Sequence, residues 1–68
     1  MTPREIRKAL KLCPTVYAYV SFNQDDGHYL QVTKSTLLLT LKDKDENFQV
    51  DAKVVHLDML DEDVLYIN

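Results

Sequence analysis

The sequence predicts an α+β domain: an N-terminal helix packed on a small antiparallel sheet of about four strands, in the order α-β-β-α-β-β. Three observations predict it. The first twelve residues carry helix start and stop signals. Residues 15–33 hold two β-rich runs around the only glycine. Residues 48–67 hold two more around an acidic turn. The alternative is a five-stranded, partly closed β-barrel with one helix. It follows if the ambiguous segment 34–42 is extended instead of helical. With 68 residues, the chain reads as one small globular domain over 1–68.

Each element has its own warrant. Thr2 and Glu5 fit a capping box, and Pro3 occupies the first helical position, where its missing N–H costs nothing. Ile6, Ala9, Leu10 and Cys13 recur at helical spacing, and Pro14 ends the helix near Leu12. Thr15 to Phe22 is rich in β-branched and aromatic residues and reads as a strand. Val16, Ala18, Val20 and Phe22 share one of its faces; Tyr17, Tyr19 and Ser21 share the other. Residues 23–28 form a hairpin loop in which Gly27 is expected at positive φ. A second strand returns over Tyr29–Thr33. Whether Tyr29 or Leu30 joins the tyrosine side depends on hairpin register.

The run 34–42 alternates as a strand but also forms a leucine stripe as a helix, with Thr33 or Ser35 to cap it. A strand from 29 through 42 would be too long for so small a domain, so a short helix is expected. Residues 43–47 form a charged turn. Phe48 to Leu57 alternates as a half-buried strand, 58–63 is an acidic turn, and Val64–Ile67 is the last strand.

Composition excludes several chemistries. One cysteine makes neither an internal disulfide nor a thiolate zinc site, and Cys13 on the helix stripe reads as a small buried hydrophobe. A single glycine rules out phosphate-cradling loops of the P-loop or Rossmann type. Residues 43–49 match the start of a calcium loop, but Phe48 and Val54 stand where it needs glycine and glutamate. His28 and His56 are not brought together by any helical spacing. No catalytic residue, metal site or cofactor is therefore expected. No apolar run approaches the ~18 residues of a membrane span, and the basic, helical start is unlike a signal peptide. A cytoplasmic protein without membrane contact is the expectation.

Two features carry information about partners. Charge is segregated: residues 1–34 hold five basic and three acidic groups, a net +2, while residues 35–68 hold three and eight, a net −5. Asp43, Asp45, Glu46, Asp58, Asp61, Glu62 and Asp63 cluster in the two turns of the second half and form a candidate docking surface for a basic protein groove. Arg4, Arg7, Lys8 and Lys11 fall at i, i+3, i+4 and i+7, a basic helix face suited to phosphates. The second feature is aromatic. Tyr17 and Tyr19 are candidate interface residues, since the first strand is apolar on both sides and one side needs cover from the second helix or another chain.

The expected function is a non-enzymatic protein-interaction module that binds another protein, or its own copy, through the acidic surface. Its brevity matches, by analogy alone, accessory proteins of phages and mobile elements that inhibit or modulate a larger protein. The alternative is a small nucleic-acid-binding regulator using the basic helix face.

Overall fold

Helix α1 spans Pro3–Leu12 and begins as its residues dictate. The Thr2 hydroxyl accepts from the Glu5 N–H at 3.3 Å, and the Glu5 carboxylate accepts from the Thr2 N–H at 3.1 Å, so two otherwise orphaned donors are satisfied. The helix ends at Cys13, whose N–H donates to the Ala9 carbonyl at 2.9 Å. Lys34 Nζ donates to the Leu10 carbonyl at 2.7 Å and places a cation at the negative end of the helix.

The computed structural model describes residues 1–21 and 27–68. Beyond α1 it contains strand β1 (Thr15–Ser21), strand β2 (Gly27–Val32), helix α2 (Lys34–Leu41), strand β3 (Ala52–Leu57) and strand β4 (Glu62–Ile67). The α-β-β-α-β-β order is the expected one, and the sheet is open, so the barrel does not form. Phe22 and most of the expected loop, residues 23–26, lie outside the described residues.

The run 34–41 is helical because Thr33 caps it. Its hydroxyl accepts from the Thr36 N–H at 3.2 Å, and Leu37 and Leu41 then fall on one buried side.

The sheet order is β2-β1-β4-β3. Both hairpins, β1–β2 and β3–β4, are antiparallel, but β1 and β4 pair in parallel, with Val16 beside Leu65 and Tyr17 beside Tyr66. The sheet is therefore mixed, which corrects the expected all-antiparallel arrangement. Each antiparallel pair joins strands that follow one another closely in sequence, whereas the β1–β4 seam joins segments about fifty residues apart and has no local signal.

Strand β3 starts at Ala52, four residues later than the alternation implies. Its partner β4 ends at Ile67, which faces Ala52, and beyond that pair the Asn68 N–H donates to the Asp51 carbonyl at 2.8 Å before the chain ends. Val50 bonds instead to the chain start: its N–H donates to the Met1 carbonyl and its carbonyl accepts from the Met1 amino group, both at 2.7 Å. Phe48, expected on the buried side of this strand, is exposed under Lys44 Nζ at 5.0 Å from its ring centre.

Gly27 also differs from expectation, since it is not at positive φ. Its reason is steric. The ring end of Tyr19, from the neighbouring strand, occupies the space a Cβ on Gly27 would need. Among the described residues, positive φ occurs at Asp61, at 50°, in the β3–β4 turn, a region that aspartate tolerates better than most residues.

Both helices pack on the same face. Ile6, Ala9, Leu10 and Cys13 of the α1 segment and Leu37 and Leu41 of α2 meet Val16 of β1 and Leu65 of β4 in one buried cluster. The second helix leaves the other sheet face open.

Candidate functional site

The open face is built by strand alternation. Tyr17 and Tyr19 of β1 stand on the side opposite Val16. The β1–β2 register sets Tyr29 opposite Tyr19 and Gln31 opposite Tyr17, and the β1–β4 register sets Tyr66 beside Tyr17. All four tyrosines of the chain thus gather on the helix-free face. Tyr17 stacks on Tyr66 at 5.6 Å between ring centres. Tyr29 meets Tyr19 and Tyr66 edge-on, at 5.3 and 5.2 Å. The Tyr29 hydroxyl donates to the Asn68 side-chain carbonyl. Beside them Tyr29, Tyr66, Lys53 and Val55 line a shallow cavity of about 240 Å³. Val64 lies on the same face and is buried between Thr15 and Val55.

The face continues toward the β3–β4 turn. Leu57 shares the side of Val55 and, with Asp58, Met59 and Leu60, borders an apolar cavity of about 320 Å³. Met59 is 99% exposed and Leu60 64%. The turn that carries them is tied down. The Leu60 N–H donates to the Leu57 carbonyl at 3.2 Å and the Asp61 N–H to the Asp58 carbonyl at 3.3 Å. His56 Nδ1 lies 2.8 Å from an Asp63 carboxylate oxygen, while its Nε2 lies 3.5 Å from Asp61 and 3.7 Å from Asp58. One imidazole therefore gathers three carboxylates around the tip.

The other candidate residues lie elsewhere. Asp43, Asp45 and Glu46 are exposed on the α2–β3 connection, where the Asp45 carboxylate accepts from the Asn47 N–H at 2.9 Å. That connection enters β3 at Ala52, whereas the 58–61 turn leaves β3 at its other end. The acidic residues are thus divided between two places on the fold, with Asp58, Asp61, Glu62 and Asp63 together at the hairpin tip. Arg4, Arg7, Lys8 and Lys11 are exposed on α1, whose Ile6, Ala9 and Leu10 face the sheet. The basic helix face and the tyrosine face are on opposite sides of the molecule.

Cys13 is fully buried, and burial, aided by Asp63 and opposed by Lys34, pushes its thiol above the ordinary range. Among the described residues no group of three or more His, Cys, Asp or Glu side chains is arranged to hold a metal ion. Nor is any helix among them long and apolar enough to cross a membrane.

Sequence reasoning leaves Tyr29 to the hairpin register and omits Tyr66, Met59 and Leu60. Tyr66 was available from alternation in β4, and Tyr29 from register. Met59 and Leu60 sit inside an acidic run that reads as a wet turn.

No protein-family model, curated protein or solved structure matches this chain.

Proposed function

We propose that the protein is a non-enzymatic interaction module that binds a larger protein through the tyrosine face and the acidic hairpin tip. One observation carries the reading: an apolar strip runs from the four tyrosines through Val55 and Leu57 to the exposed Met59 and Leu60, and Asp58, Asp61, Glu62 and Asp63 gather at its hairpin end. Tyrosine and methionine are the residue types enriched at the centres of protein interfaces, where large rings contribute area at low entropic cost. Asp58, Asp61, Glu62 and Asp63 beside the strip favour a partner with an apolar pocket and a basic rim.

The nucleic-acid alternative uses Arg4, Arg7, Lys8 and Lys11 of α1. Those four cations lie on the side of the molecule opposite the tyrosines, so that reading draws no support from the aromatic face.

The test is affinity capture with three proteins: the parent chain, Met59→Asp combined with Asp61→Lys, and Arg4→Glu combined with Lys8→Glu. The expected result is a protein retained by the parent and the α1 variant and lost by the tip variant. Retention that tracks α1 and collapses with added salt or nuclease would overturn it.

A further inference from the structure

Strands β2 and β3 are the two edges of the sheet, and they are built differently. Natural edge strands are blunted by charges, prolines or bulges against pairing with another chain. β3 carries Lys53, and His56 with its three carboxylates. β2 reads Gly-His-Tyr-Leu-Gln-Val and has no Asp, Glu, Lys, Arg or Pro. Its register with β1 runs unbroken from Gly27 to Val32, so it contains no bulge. It is also apolar on both faces at its centre: Tyr29 is 40% exposed on the tyrosine side and Leu30 43% exposed on the helix side.

We propose that β2 is a self-association edge, on which a second copy of this chain adds its own β2 in antiparallel pairing about a two-fold axis. Charge favours a second copy at this edge. β2 presents no like charges to its copy, while the acidic β3–β4 hairpin sits at the far side of the sheet, so dimerisation holds the two acidic tips apart. A two-fold axis perpendicular to the sheet keeps each side chain on its own face. Pairing centred on Leu30 sets Leu30 against its copy on the helix side and Tyr29 against Gln31 on the other. The tyrosine faces of both copies then form one continuous surface. This proposal is independent of the partner-binding reading, which concerns the tip and the face and not the edge.

Analytical ultracentrifugation from about 1 μM to about 1 mM reads the outcome. The parent chain is expected to shift with concentration toward twice its 7.9 kDa mass. Leu30→Lys places like charges across the axis and is expected to raise the dimer dissociation constant at least about tenfold. Val54→Lys, on the opposite edge, is expected to leave it unchanged. Circular dichroism confirms folding, and Gln31→Lys on the same strand replaces Leu30→Lys if that variant does not fold. Intermolecular NOEs in a mixed-label sample are expected between β2 protons. A monomer throughout the range, a dimer indifferent to both β2 lysines, or NOEs confined to other elements would each overturn the proposal. So would a β2 edge that pairs only with a foreign strand.

Discussion

The two faces of the sheet solve the same burial problem with different side chains. On the helix side, Val16 and Leu65 are essentially inaccessible and two helices cover them. On the other side no helix packs among the described residues, and tyrosines cover the strands, with Tyr19 and Tyr29 close to half exposed. The difference follows from size. A chain of 68 residues has surface to bury but few residues to bury it with, so it completes one aliphatic core. On the uncovered side a tyrosine packs its ring edge-on or stacked against neighbours and keeps its hydroxyl in water. That combination lets a sheet face stay half-open without a large aliphatic patch, and it leaves aromatic area available for a partner.

The sharpest way to break the comparison is to truncate one residue on each face. Leu65→Ala removes a fully buried side chain from the middle of the core and is expected to cost about 2–5 kcal/mol. A domain this small has little more than about 3–5 kcal/mol in total, so the variant should be largely unfolded at 25 °C. Tyr17→Ala, one residue from the core strand position Val16, loses the stack on Tyr66 and part of its burial. It is expected to cost about 1–2 kcal/mol and to leave a cooperative urea transition. Equal costs on the two faces would show that the tyrosine side is a second core and not an exposed surface.

Gly27 sharpens the same contrast on one residue pair. A methyl at Gly27 collides with the end of the Tyr19 ring, which is flexible and partly exposed and can swing aside. The cost is then the lost edge-on contact with Tyr29, about 1 kcal/mol. In a Tyr19→Ala background, Gly27→Ala should become neutral or slightly stabilising, because its φ is not in the left-handed region. A double-mutant cycle measured by urea unfolding reads this coupling. A Gly27→Ala cost that persists without Tyr19 would put the strain in the backbone.

These residues also show what could be read from the chain alone. Helix α1 was legible in full, because Thr2, Pro3, Glu5 and Pro14 act through neighbours three or four residues away. Tyr17 and Tyr19 were legible as a face, because alternation is local. The reach of β3 was not: residues 48–54 alternate without a break, yet Val50 is taken by Met1 and β4 ends opposite Ala52. The parallel β1–β4 seam was equally hidden, and with it the meeting of Tyr17 and Tyr66. Gly27 reads as a turn residue because glycine is usually interpreted through φ, whereas here it leaves a gap for a ring that comes from the neighbouring strand. The acids of the hairpin tip are plain in the sequence, whereas Met59 and Leu60 carry no signal there, because two exposed side chains in a turn have no period.

The smallest effect concerns what holds the cover on the aliphatic face. Glu5 accepts from the Thr2 backbone and side chain, and those bonds hold its carboxyl below the ordinary value of 4.5. A carboxylate with a depressed folded-state pKa stabilises the fold above its unfolded pKa, and the contribution disappears as pH falls through the folded value. Acid should therefore fray the first turn of α1, seen as a loss of far-ultraviolet helical signal below about pH 4.5. Thr2→Ala should lower stability by about 0.5–1 kcal/mol at neutral pH and flatten this pH dependence. Because α1 lies on one face only, the near-ultraviolet tyrosine signal from the other face should stay constant through the same titration. A joint loss of both signals would mean that the two faces fold as one unit, each depending on the other for its packing.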